Sequence, residues 1–286
     1  MNLIALMPIR NEDWILGLSL RAALRWCHHA VVLNHASTDM TPDILSDIQH
    51  ETRRLTIINE PDPTWAEMGH RQRMLEAART LKATHCAIVD ADEILTGNLL
   101  ESVPEQIASL PAGAMLQIPM RNMYGGTHQY RKDNSIWGNT ITTMAFADAP
   151  GMCWQAQNGY QHHHREPFNS RVGVRVWPQQ LDGGIMHLQF AYRRRLLAKH
   201  SLYKVDEVVR WPGRRANKEI DREYSMAPDW SGASLEPAPA QWWEPYADLM
   251  HHLDLTHEPW QEEAVRRIVA EHGIEKFTGL NLYGVV

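Results

Sequence analysis

Four short apolar runs, interleaved with helix-periodic stretches, constrain this chain more than any other feature. They are LIALMP (3–8), AVVLN (30–34), LTIIN (55–59) and CAIVD (86–90). Each is continuous rather than alternating and rich in Leu, Ile or Val, the pattern of a strand covered on both faces. Between them, Leu16, Leu20 and Leu24 recur at four-residue spacing within 13–26. Thr41 followed by Pro42 predicts an N-cap and first-turn proline for a second helix. Met74, Leu75, Ala78 and Leu81 make one apolar face within 66–82. This alternation predicts an open, parallel α/β sheet with right-handed crossovers. Ligands on such sheets lie beyond the carboxyl ends of the strands. The polar residues that follow the runs therefore share one rim: Arg10, Asn11 and Glu12; Asn34 to Asp39; Glu60 to Asp62; Asp90 to Glu93.

The pattern blurs after about residue 112. AMLQIPM and NTITTMAF predict further strands, and 121–184, rich in Gly, His, Trp and Asn, predicts an irregular binding region. A helix is expected over about 191–209, a surface loop over 225–245, and short helices near 241–253 and 258–272. The division expected is one domain over 1–224, with halves 1–112 and 113–224, and a C-terminal extension over 225–286. The 286 residues suffice for a sizeable core. A formal net charge of -6 weighs against a globally electrostatic nucleic-acid binder. Cys27, Cys86 and Cys153 are widely spaced and odd in number, which suits a reducing compartment and disfavours a disulfide scaffold. The N-terminal stretch reads as a strand rather than a signal peptide, and no apolar stretch is long enough to span a bilayer. The expected location is the cytoplasm.

Asp90 and Asp92 form an Asp-x-Asp pattern at a strand end, followed by Glu93. Two carboxylates there can hold a hard divalent cation, whose open positions take water and phosphate oxygens. The alternative is that these acids cap the next helix. The surrounding order of segments bears on the choice. MPIRNEDWIL, VVLNHASTDMTPDIL, GHRQRMLEAA and CAIVDADEIL follow one another over the first 95 residues. This series resembles the nucleotide-binding half of the GT-A glycosyltransferases, especially family 2 and its bacterial relatives. The match is strong over about the first third of the chain and weak beyond. It departs from the family at Asn34-His35, where an aspartate is usual.

The resemblance implies a GT-A, Rossmann-like α/β fold: a mixed, mostly parallel sheet with helices on both faces. It implies a nucleotide-diphosphate sugar donor, Mn2+ or Mg2+, and a saccharide or other hydroxyl-bearing acceptor, with transfer by inversion. It also implies roles for particular residues. Pro8, Arg10 and Glu12 would line the nucleotide pocket, Asn34 and Asp39 would face the base or ribose, and Arg71 would approach the diphosphate. Asp90 would contact ribose or metal, and Asp92 would be the principal metal ligand. His187, in a short strand before a basic helix, would complete the metal site; a core histidine bonded to backbone is the alternative.

Other residues are read more openly. Of His162, His163 and His164, only the first and third can share a strand face. Lys199 and Lys204 lie in the basic stretch 193–218, which a solvated helix face explains unless they point at the donor phosphates. That stretch is also where a nucleic-acid acceptor would dock, though overall charge opposes it. Glu166 and Asp182 are the candidates for the base that takes the acceptor proton. Trp137, Trp154 and Tyr160 are candidates for stacking on a sugar. The competing functions are a nucleotidyltransferase of similar fold and a non-catalytic sugar-nucleotide-binding protein.

Overall fold

The computed structural model describes residues 1–155, 165–169, 173–177 and 182–286. In chain order the elements are β1 (Leu3–Ile9), α1 (Asp13–Ala23), β2 (His29–His35), α2 (Thr41–Glu51), β3 (Leu55–Glu60), α3 (Glu67–Thr80), β4 (His85–Ile88) and β5 (Glu93–Leu95). There follow α4 (Ser102–Ala108), β6 (Met115–Asn122), β7 (Gln129–Arg131), β8 (Ile141–Ala147), β9 (Val174–Val176), β10 (Ile185–His187) and α5 (Arg193–Arg210). The chain ends with α6 (Asn217–Tyr224), β11 (Leu235–Pro237), 3-10 turns at Ala240–Trp242 and Glu244–His252, α7 (Trp260–His272) and a last 3-10 turn at Ile274–Phe277.

The four apolar runs become β1 to β4, paired in parallel in the order β3-β2-β1-β4. The sheet continues through β8, β6, β10 and β5, with β9 also paired to β6. β8 runs antiparallel to both β4 and β6, and β10 runs parallel to β6 and antiparallel to β5. The strand periodicity explains the layers. Leu3, Ala5, Met7 and Ile9 of β1 pack with Leu16 and Leu20 of α1, Leu45 and Ile48 of α2, and Val103 and Ile107 of α4. Ile4 and Leu6 point the other way, to Met74, Leu75 and Ala78 of α3. Helices thus cover both faces, which is why the runs are apolar throughout.

The opposite side of α1, with Trp14, Ile15 and Leu18, is also buried, against Trp242, Tyr246 and Leu249 of the C-terminal extension. Tyr246 anchors there by donating its hydroxyl to the Leu95 carbonyl at 2.7 Å. Gly97 permits this approach: a Cβ at that position would stand 2.5 Å from Pro245 Cδ. Further along, α7 places Val265 and Val269 against Val205 and Val208 of α5.

Several expectations shift in detail. Thr41 is the first helical residue rather than the cap, because Met40 occupies the cap position. The helix expected at 241–253 is a pair of 3-10 turns. Within 121–184, β8 is the strand expected at NTITTMAF, while β7 and β9 add short strands to the part read as irregular. Among the described residues no helix is long and apolar enough to cross a membrane.

Candidate active site

The rim at the carboxyl ends of β1 and β2 is held by two turns that bond each other. Asn11 adopts a left-handed backbone (φ 54°), a conformation asparagine tolerates better than most residues. Its side-chain carbonyl accepts from Thr38 N at 2.7 Å, and its own N–H donates to Ser37 Oγ at 3.0 Å. Glu12 N donates to Thr41 Oγ1 at 3.0 Å. Asp39 divides its carboxylate, one oxygen accepting from Asp13 N at 3.2 Å and the other from Thr41 N at 2.9 Å. Both oxygens of Asp39 therefore accept from backbone N–H groups at helix starts. Asn34 donates to Asn59 Oδ1 at 3.1 Å, while its own Oδ1 is buried with no hydrogen-bond partner among the described residues. Pro8 pairs with Leu33 within the sheet. Arg10 donates to the Pro63 carbonyl at 3.0 Å and lies over the Trp260 ring at 5.4 Å.

The acidic turn after β4 meets the end of β10. Strand register sets His187 between Glu93 on β5 and Asn122 on β6. Asn122 is buried, and its amide nitrogen donates to the Trp137 carbonyl at 2.6 Å. Its Oδ1 therefore faces His187 Nδ1, 2.8 Å away, as an acceptor. This assigns the proton of a neutral imidazole to Nδ1 and leaves the Nε2 lone pair free. Nε2 stands 3.6 Å from Asp92 Oδ2. Two acceptors facing each other at that distance favour a cation between them. Neighbouring ligands of one octahedral ion, bound at about 2.1 Å each, lie about 3 Å apart, so the gap is close to the right size. Among the described residues no group of three or more His, Cys, Asp or Glu converges on one point. A divalent ion here would take two protein ligands and fill its other positions with water and phosphate oxygens, a familiar arrangement for Mg2+.

The third expected ligand, Asp90, is turned elsewhere. One oxygen accepts from Arg71 at 3.3 Å and the other from Arg165 at 3.2 Å. Burial works against its charge, yet Arg165 and then Arg71 hold the carboxyl below the usual carboxylate range. Arg165 also donates to both oxygens of buried Glu93 and to the carbonyls of Ile88 and Thr143, the latter two at 2.8 Å. Arg71 is held by Glu67 at 3.0 Å as well as by Asp90. Its guanidinium thus has carboxylate partners before any diphosphate arrives. Asp92 differs: burial again opposes ionisation, but the Lys199 ammonium holds its carboxyl well below the ordinary range.

The helix α5 forms the far wall. Arg195 donates to Glu12 Oε2 at 3.0 Å and to the Asn11 carbonyl at 3.2 Å, with its guanidinium over the Trp14 ring at 4.4 Å. Lys199, one turn on, places Nζ 3.7 Å from Asp92 Oδ2. Lys204 faces away: it is fully buried among Asp221, Ser225, Tyr283 and the Asn281 carbonyl. Arg165 and Asn122 are the site residues the sequence reading missed, and Arg195 was read only as part of the basic stretch 193–218. The sign of Arg165 is its place just before Glu166, and nothing local marks Asn122.

Of the remaining candidates, Glu166 is half-buried and adjacent in sequence to Arg165. Asp182 precedes β10, at the opposite end of that strand from His187, and its carboxylate accepts from Gln241 and from the Trp242 indole at 2.9 Å. It ties down the C-terminal extension, which argues against a role as base. Trp154 is a core residue packed edge-on against Phe146. Trp137 packs against Phe190, which in turn meets the His187 ring edge-on at 5.9 Å. Tyr160 and His162 to His164 lie outside the described residues.

A mixed, mostly parallel sheet with helices on both faces and an acidic turn at its carboxyl edge is the arrangement the GT-A resemblance led us to expect. The family follows from the chain itself: residues 5–199 match the model described as Glycosyl transferase family 2. The chain belongs to that family and is a glycosyltransferase. Among solved structures, S. aureus TarS 1-349 aligns at 11% identity and TM-score 0.48, over 97% of this chain and 89% of that one. The same TarS region in complex with UDP aligns at 13% and 0.46, over 78% and 69%. The mannosyltransferase PcManGT from Pyrobaculum calidifontis, in complex with GDP-Man and Mn2+, aligns at 14% and 0.44, over 94% and 74%. No curated protein matches the chain.

Proposed function

We propose that this enzyme transfers a sugar from a nucleoside-diphosphate donor to an acceptor hydroxyl, with inversion, using a divalent ion held by Asp92 and His187. The observation that carries the reading is the 3.6 Å approach of Asp92 Oδ2 to an imidazole nitrogen whose lone pair Asn122 leaves free. Mn2+ or Mg2+ there supplies Lewis-acid stabilisation to the departing diphosphate. The chain's own residues do the rest. Asn122 holds the His187 ring and its tautomer. Arg165 and Arg71 balance Asp90 and Glu93, so the acidic turn keeps its shape without the ion. Glu166 is the proposed base for the acceptor proton, its half-exposed position beside Arg165 suiting an incoming hydroxyl.

Thermal shift with a panel of nucleoside diphosphates, with and without Mn2+, tests this directly, because a bound ligand stabilises the folded state by mass action. One nucleotide is expected to raise Tm further when Mn2+ is present. Asp92→Asn and His187→Ala are expected to abolish that added increment. An increment indifferent to both substitutions would remove the metal from this position.

A further inference from the structure

We infer that Lys199 is a second, built-in cation of the donor site, one that binds the diphosphate and stabilises it as it leaves. The inference rests on the donor reading above and adds to it a residue from outside the acidic turn.

The cations that ring the site differ in how they are paired. Arg195 hydrogen-bonds Glu12 at 3.0 Å, Arg71 bonds Glu67 at 3.0 Å and Asp90 at 3.3 Å, and Arg165 bonds Glu93 at 2.6 Å through one of its nitrogens. Each of those charges is already matched by a carboxylate at hydrogen-bond distance. Lys199 is not: its nearest carboxylate oxygen is Asp92 Oδ2 at 3.7 Å, beyond a hydrogen bond. That same oxygen faces His187, so it is the oxygen a divalent ion would claim. With three donors and no carboxylate at hydrogen-bond distance, the Lys199 ammonium can receive an anion at the same place without the ion, and gains more from one when the ion has claimed that oxygen. A diphosphate is such an anion.

The position is well prepared. Arg195, Lys199 and Tyr203 are spaced by four residues and so share one face of α5. Arg195 pins that face to the β1 rim through Glu12 and the Asn11 carbonyl. The Lys199 side chain is about one quarter exposed, so most of its length is held while its ammonium can still reach a ligand. A lysine with three donors on a flexible stem suits phosphate oxygens whose positions change during the reaction. In the transfer, the acceptor oxygen bonds to the anomeric carbon and loses its proton to the base. The bond from that carbon to the phosphate oxygen breaks, and its electron pair stays on the diphosphate. The negative charge so gained falls within reach of Lys199.

The test is binding in EDTA, where no divalent ion can contribute. Affinities of UDP and GDP are compared with those of uridine and guanosine for the wild-type chain and for Lys199→Met and Lys199→Arg. The wild type is expected to prefer one diphosphate over its nucleoside by at least about tenfold, the scale of one charge-assisted contact. Lys199→Met is expected to erase that preference and Lys199→Arg to keep most of it. Lys199→Gln carries the same comparison if the methionine variant folds poorly. A merely structural role would weaken nucleoside and diphosphate alike. An undiminished preference in both neutral variants overturns the inference. A wild type that shows no diphosphate preference, even with Mn2+, instead removes the donor reading, and this inference with it.

Discussion

At the scale of single residues, the approach of His187 to Asp92 depends on a third side chain, Asn122. Asn122 is buried, donates to a backbone carbonyl and accepts from His187, so one amide fixes both the ring's direction and its tautomer. Without that acceptor the imidazole can rotate, or carry its proton on Nε2, where it would oppose an ion. Asn122→Ala is therefore expected to weaken Mn2+ binding about 10- to 100-fold while nucleotide binding in EDTA stays near the wild-type level. Titration calorimetry with Mn2+ checks this, and equal Mn2+ affinity in the two proteins would contradict it. That Asp92 and His187 would lie together was expected from the sequence, because a strand-end Asp-x-Asp and a late histidine before a basic helix are local patterns, and they stand 3.6 Å apart. Asn122 was not, because its meeting with His187 depends on β6 and β10 lying side by side, 65 residues apart in the chain.

At the scale of elements, the second motif of the rim reads differently in three dimensions. The stretch Asn34 to Thr41 looked like a nucleotide contact. Folded, Ser37, Thr38, Asp39 and Thr41 mainly join the β1–α1 turn to the β2–α2 turn. Backbone N–H groups at two helix starts need acceptors, and Asp39 supplies one to each. Asp39→Ala is expected to cost about 1–2 kcal/mol of stability, the usual range for losing a capping acceptor. The same substitution should leave nucleotide affinity within about twofold, the ordinary scatter of a substitution that touches no ligand. Chemical denaturation and nucleotide titration on one protein sample separate the two. An unchanged stability with a collapsed affinity would restore Asp39 to the nucleotide pocket. The helix α5 gives a second example. Its basic character was plain in sequence, but its faces were not. Lys199 points at the acidic turn, while Lys204, five residues on, is sealed in the contact with α6 and the chain's end.

At the scale of the whole molecule, the C-terminal extension is structural. Trp242, Tyr246 and Leu249 cover the side of α1 that the sheet does not, and α7 covers α5. Both helices supply or support site residues, so the extension holds the rim in place indirectly. The expectation is a single calorimetric unfolding transition for the entire chain, as for one cooperative unit. Gly97→Ala should lower that one Tm, because its Cβ would press on Pro245 and on the Gln241 carbonyl, at 2.5 and 2.8 Å. A separate early transition, moved by Gly97→Ala while the main one stays, would show that the extension folds on its own account.

The chain's linear pattern determined the strand–helix order, the parallel half of the sheet and the rim on which the charges collect. Those properties follow from local periodicity and from the handedness of crossovers, which act over tens of residues. Only the tertiary structure decided which charges pair. Asp90 turned to two arginines, one of them from beyond residue 160, while Asp92 turned to a histidine and a lysine about 100 residues away. Electrostatic partners are chosen by distance in space, and that distance is set by sheet order and by how α5 lies across the rim, neither of which any short stretch of sequence encodes.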